Sequence, residues 1–169
     1  MNFTAGSDGS FEFAGRIVRC ALGPAGVVED AAKREGDGAT PLGVWPMRRV
    51  LYRPDRGEAP ATALPVAPLT HGDGWCDDPA DANYNHPVTL PYPASCETMW
   101  REDELYDVVV ILAHNDDPPV PGLGSAIFLH CAKPGYPPTQ GCVALAKADL
   151  LELLAVAKPG DAIQVLRAP

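Results

Sequence analysis

One segment of the chain places a thiol and an imidazole where they could work together. In HCAKPGYPPTQGCVAL, running from 130 to 145, His130 precedes a loop rich in Pro and Gly, and Gly141-Cys142 follows eleven residues later. A free thiol has a pKa of about 8.5 and needs a base to act as a nucleophile near neutral pH. A His held on a rigid strand supplies that base if the loop folds Cys142 back to it. Gly141 allows a close backbone approach to a substrate, and the N–H groups around Cys142 form a candidate oxyanion hole. The alternative on spacing alone is a core histidine beside a buried structural cysteine.

Other residues are weaker candidates. His114 and Asn115 follow directly on a strongly apolar run, so they are read as strand-end residues facing a cleft and contacting substrate, or as a plain polar strand end. Arg48, Arg49 and Arg53 are suited to bind a carboxylate bidentately, against the simpler reading of solvated strand-face charges. Trp100 and Arg101 are placed at the flank of the cleft, or Trp100 packs the segment around it. The run His71 to Asp78 mixes N, O and S donors without a recognised ligand spacing, so no metal and no cofactor are expected. Five cysteines, Cys20, Cys76, Cys96, Cys131 and Cys142, leave at least one thiol unpaired, and none lies in a C-x-x-C pair. Cys76 with Cys96 is a possible disulfide in an exported protein. Cys131 follows His130 on a strand, points to the opposite face and belongs to the core.

These residues need a scaffold, and composition limits which one. Gly and Pro together make 35 of 169 residues, so the chain cannot be mostly helical. Short strands are expected at Phe11 to Ala14 and Arg16 to Leu22, as a hairpin around Gly15. Val44 to Tyr52 reads as a half-buried strand, and Asp161 to Leu166 as a closing one. Tyr106 to Ala113 and Ser125 to Ala132 are apolar enough for strands buried on both faces. Ala148 to Ala157 is the one helix, with Leu150, Leu153, Leu154 and Ala157 on one face and Lys158-Pro159-Gly160 ending it. Between Arg53 and Asp103 periodicity is lost and eight of the 19 prolines fall. That segment is read as an ordered insertion, about 53–103, lining the site of a single domain spanning 1–169.

The net charge of −9 argues against a nucleic-acid partner, which requires a basic stripe, and favours a small or cationic one. The longest apolar run is too short to span a membrane. The N-terminus lacks a basic region and an apolar core, so the chain reads as cytoplasmic, or as periplasmic or cell-wall protein where a leader has been removed.

The segment His130 … Thr139-Gln140-Gly141-Cys142-Val143 resembles the signature of the L,D-transpeptidase (YkuD-type) family, a His followed by a loop and S/T-x-G-C. Thr40-Pro41-Leu42-Gly43 is similar to the T-P-x-G that introduces a strand in that family, and the ending, helix then Pro-Gly turn then strand, agrees. The resemblance implies a mostly β fold of sandwich or barrel type, with one main helix after the cysteine. It implies Cys142 as nucleophile, His130 as general base, backbone at Gly141 and Cys142 as oxyanion hole, and Thr139 as a supporting hydroxyl. Gln140 and Val143 flank that loop as substrate contacts. Gln140 and Ala144 stand where the family often has His and Arg, and the His-to-Cys loop is short. The implied reaction is acyl transfer on a peptidoglycan stem peptide or muropeptide, through a Cys142 thioester with loss of terminal D-Ala. An amine then takes the acyl group; hydrolysis as an L,D-carboxypeptidase, or a non-catalytic role in binding wall peptides, are the alternatives. A carbapenem is the inhibitor that the resemblance implies.

Overall fold

The computed structural model describes residues 1–168. Its strands are β1 (Asn2–Gly6), β2 (Ser10–Phe13), β3 (Arg16–Ala21), β4 (Val27–Val28), β5 (Thr40–Pro41), β6 (Gly43–Tyr52) and β7 (Val66–Pro68). Then come β8 (Asp73–Cys76), β9 (Pro87–Thr89), β10 (Cys96–Thr98), β11 (Val108–Leu112), β12 (Phe128–Cys131), β13 (Val143–Leu145), helix α1 (Lys147–Val156) and β14 (Ala162–Leu166). The chain is mostly β, as its Gly and Pro content requires. Eight strands close into a barrel in the order β11-β12-β13-β3-β2-β1-β14-β6, and β6 completes the ring by pairing with β11. The long β6 makes closure possible: its first residues pair with β14, and its later ones with β11 and β7.

Local sequence accounts for several elements. Ala14 and Gly15 both take positive φ, 48° and 73°, which gives the tight turn joining β2 to β3. In α1, Leu150, Leu153 and Leu154 are fully buried and pack with Phe3, Phe11, Leu129, Leu145 and Ile163 in the barrel core. Asp149 in its first turn complements the helix dipole.

Two of the eight barrel strands escaped the sequence reading. The N-terminal β1 exists because it pairs in parallel with β14, Asn2 opposite Ala162, a contact across nearly the whole chain. The three-residue β13 lies parallel to β12, Leu129 opposite Val143 and His130 opposite Ala144. The ladder of β12 also begins later than the apolar run suggests, because Ala126 takes a φ of 53° that no strand accommodates.

The segment from 53 to 103 is ordered. It contributes β7 to the barrel sheet, and a separate three-stranded sheet of order β10-β8-β9. That small sheet covers the barrel's outer face: Leu69, Trp75 and Met99 pack with Val109, Ile111, Phe128 and Cys142. Strand β11 is therefore buried on both sides, with Val108, Val110 and Leu112 in the barrel core and Val109 and Ile111 beneath the insertion. All five cysteines are free thiols. Among the described residues no helix is long and apolar enough to cross a membrane.

Truncating the helix anchor tests this packing. Leu153→Ala removes a fully buried side chain and is expected to cost roughly 2–5 kcal/mol of stability, read by urea denaturation.

Candidate active site

A Pro-rich loop of eleven residues, 132–142, carries the chain from the end of β12 back to the start of β13 in the same direction. A parallel return normally takes a helix; here a coil stiffened by Pro134, Pro137 and Pro138 accomplishes it. The result is that Cys142, one residue before β13, lies beside Phe128 and diagonally across from His130. The Phe128 N–H donates to Cys142 Sγ at 3.4 Å, and the Cys142 thiol donates to the Ala126 carbonyl at 3.1 Å. Cys142 and His130 line the same cavity of about 550 Å³.

Backbone packing holds the loop from behind. Gly141 has φ 124°, and a Cβ there would meet the Ala39 carbonyl oxygen at 2.8 Å. A Cβ at Gly23 would lie 2.1 Å from the Gly38 carbonyl oxygen and 3.2 Å from Gly141 Cα. Three stretches of main chain thus touch where side chains have no room. The fully buried Thr40 fastens them by accepting the Gly23 N–H through Oγ1 at 2.9 Å. The Thr139 N–H donates to the Leu22 carbonyl at 2.9 Å. Thr139 Oγ1 donates to the Cys142 carbonyl at 2.7 Å and accepts the Gly141 N–H at 3.1 Å. Thr139, expected to be a supporting hydroxyl, thus bridges the Gly141 N–H and the Cys142 carbonyl. The same bond engages the Gly141 N–H, which was expected to face a substrate oxyanion.

His130 is buried, and its Nδ1 lies 2.9 Å from the Cys131 carbonyl. A carbonyl only accepts, so Nδ1 carries the proton and Nε2 keeps its lone pair. Burial lowers the His130 pKa to about 4 and raises that of the Cys142 thiol to about 12, with Glu97 adding to the rise. The resting pair is therefore a neutral thiol and a neutral imidazole that can accept a proton.

Beside them stands a network of which the sequence anticipated only Arg101, at the flank of the cleft. The Tyr106 hydroxyl donates to Glu97, and the Tyr106 ring meets the His130 ring edge-on at 5.4 Å. The Arg101 guanidinium lies over Tyr106 at 5.3 Å and pairs with Asp103 at 2.7 Å, holding the Asp103 carboxyl far below its usual range. Burial raises the pKa of Glu97. Asn85, also unanticipated, ties the insertion to the loop beneath the thiol. Its Oδ1 accepts the Trp75 indole N–H at 2.9 Å and the Ala126 N–H at 3.0 Å, and its Nδ2 donates to the carbonyls of His114 and Asn115. All of its usual bonding capacity is spent, which fixes the strained Ala126 whose carbonyl receives the thiol proton. Only its Asn character in a turn, tolerant of positive φ, was visible in sequence.

Other expected contacts are distributed differently. Gln140 lines the cavity beside Thr139. Val143 does not, because it is fully buried in the barrel core. His114 is also buried: its ring packs against Trp45 at 4.8 Å, its Nε2 lies 3.2 Å from Asp30, and it is not among the cavity-lining residues. Asn115 staples its own loop through Val120 and Gly124. Arg48 pairs with Asp116 at 2.8 Å on a separate cavity of about 280 Å³, which Arg49 also lines. Arg53 is buried against Asp55 and stacks over Trp100, whose other neighbour is His71 at 4.0 Å. Trp100 therefore packs the insertion, and Arg101 next to it reaches the cavity.

Two measurements probe this geometry. Gly141→Ala is expected to lower the melting temperature and slow iodoacetamide labelling of Cys142, whereas Ala at the exposed Gln140 leaves melting unchanged. Because folding lowers the His130 pKa, the unfolded chain takes up its proton first as pH falls below about 6.5. His130 thus contributes stability above that pH and loses it as pH falls towards 4. Urea denaturation at pH 7 and 4.5 is expected to show a larger stability loss for wild type than for His130→Gln.

No curated protein and no solved structure matches the chain. The family model of the L,D-transpeptidase catalytic domain (YkuD) matches residues 10–165, from β2 to the last strand. With that match over nearly its whole length, on a mostly β barrel with one helix after the cysteine, the chain belongs to the L,D-transpeptidase catalytic-domain family.

Proposed function

We propose that this protein is a cysteine acyltransferase acting on peptidoglycan stem peptides, with Cys142 as nucleophile and His130 as general base. The observation that carries this reading is their position on one wall of the 550 Å³ cavity, with the His130 tautomer set by the Cys131 carbonyl. Family membership supports the substrate class. So does the lining: Lys33, Arg101 and Lys133 supply positive charge, and Glu35, Asp77 and Glu97 negative charge, which suits a peptide bearing both amines and carboxylates.

The reaction proceeds from the neutral pair. As substrate enters, Sγ attacks the carbonyl of the stem's third residue and its proton passes to His130 Nε2. Forming the ions only during attack avoids holding a thiolate and an imidazolium in a site whose burial disfavours both. Collapse of the tetrahedral adduct breaks the C–N bond. His130 returns the proton to the departing amine, and D-Ala leaves behind a Cys142 thioester. An acceptor amine then adds to the thioester carbonyl while His130 removes its proton; the C–S bond breaks and the thiol is restored. In the adduct the negative oxygen needs a donor. Gly141 N–H serves once Thr139 Oγ1 yields it, so Thr139 acts as a latch on the oxyanion site.

The test is intact-mass analysis after exposure to a carbapenem, with stem-tetrapeptide turnover measured alongside. Wild type is expected to gain one covalent adduct and to release D-Ala. Cys142→Ala is expected to do neither while melting like wild type. An adduct on the Cys142→Ala protein, or turnover by it, would overturn the assignment.

A further inference from the structure

Cys76 and Cys96 stand directly opposite each other in the antiparallel pair β8–β10. The hydrogen bonds on either side define their setting. Asp77 N–H donates to the Ser95 carbonyl, and Met99 N–H to the Asp73 carbonyl. Hydrogen-bonded pairs alternate with non-hydrogen-bonded ones, so Cys76–Cys96 is a non-hydrogen-bonded pair. At such positions Cα atoms approach to about 4.5 Å and both side chains project to the same face. That separation falls in the range a disulfide spans, without backbone movement. No comparable opportunity exists for Cys20 and Cys131. They flank Leu145 on opposite sides of β13, two strand spacings apart, or about 9–10 Å.

We propose that Cys76 and Cys96 form a disulfide site that clamps β8 to β10 behind the cavity. The consequence follows from strand alternation. Trp75, Asp77 and Glu97 project from the opposite face of the same two strands. Asp77 and Glu97 line the cavity, and Trp75 packs edge-on against Phe128 at 5.0 Å. A covalent tie between the two strands therefore holds the acidic wall in register against the strand next to Cys142. It also closes the loop of nineteen residues between the cysteines, which carries β9 and Asn85.

The chemistry is thiol–disulfide exchange with a disulfide-bearing partner as oxidant. Cys96 is partly exposed and Cys76 fully buried, so Cys96 attacks first. Its sulfur bonds to one sulfur of the partner and displaces the other as a thiol. Cys76 then attacks Cys96 Sγ in the mixed disulfide, releasing the second partner thiol. Two protein thiols are oxidised, the partner disulfide is reduced by two electrons, and the two protons end on the released thiols.

The experiment incubates the full chain with oxidised glutathione and follows intact mass, peptide mapping and melting. The expected result is a loss of two hydrogens, a mapped Cys76–Cys96 link, and a melting temperature raised by a few degrees. Cys20, Cys131 and Cys142 should remain alkylatable after unfolding. Cys76→Ser is expected to stop at a stable glutathione adduct on Cys96. A persistent glutathione adduct on wild-type Cys96, a link through Cys142, or no reaction at all would each overturn the proposal. Because carbapenem acylation reads Cys142 separately, the outcome is independent of the acyltransferase assignment.

Discussion

The pairing of β13 with β12 sets the geometry on which the site depends, because it brings a cysteine that follows the histidine by twelve positions back alongside it. A parallel pair cannot be closed by a tight turn, so the intervening loop must travel the length of the strand and return. The loop's prolines limit the conformations it loses on folding. Its return also requires main chain to pass within contact distance of main chain, Gly23 against Gly38 and Gly141 against Ala39, where a side chain on Gly23 or Gly141 would intrude. Thr40 and Thr139 supply the hydrogen bonds that such bare backbone needs.

Burial then shapes the chemistry. The insertion covers the outer face of β11 and β12 and removes water from around Cys142, Tyr106 and His130. The same desolvation that disfavours a thiolate also disfavours an imidazolium, so the pair rests neutral. In the proposed acyl transfer, such a pair stays quiet until a substrate carbonyl accepts the developing charge. Here the acidic neighbour Glu97 opposes a standing thiolate, while the Phe128 N–H and the cations Lys33 and Arg101 favour it.

The insertion is more than a cover. Through Asn85 it grips Ala126, and through Arg101 and Glu97 it walls the cavity; through Trp75 it packs against Phe128. Asn85 and Trp75 join the β8–β10 sheet and its flanks to the segment just before the histidine, and Glu97 and Arg101 join it to Tyr106. The contribution of a stretch without hydrophobic periodicity to the cavity thus comes from side-chain hydrogen bonds and aromatic packing. Neither leaves a repeating pattern in sequence.

What the sequence alone determined is the local chemistry and the elements with strong patterns. The order of His130, Thr139, Gly141 and Cys142, the β2–β3 turn at Gly15, the apolar β11 and the Leu-rich helix were all legible, because each is encoded by residues near one another. The need for glycine at 141 was legible as flexibility, but not as a close approach to Ala39. Strands β1 and β13 were invisible, since their short stretches become strands only by pairing with partners far along the chain. Tertiary structure likewise decided which polar residues face the cavity. His114, at the end of one expected strand, and Arg48, within another, were read as facing substrate, yet the fold turns them towards Trp45 and Asp116. Glu97 joins the expected Arg101 on the cavity wall and Asn85 braces Ala126 beneath the thiol, because the fold of the insertion, a set of long-range contacts, carries them there.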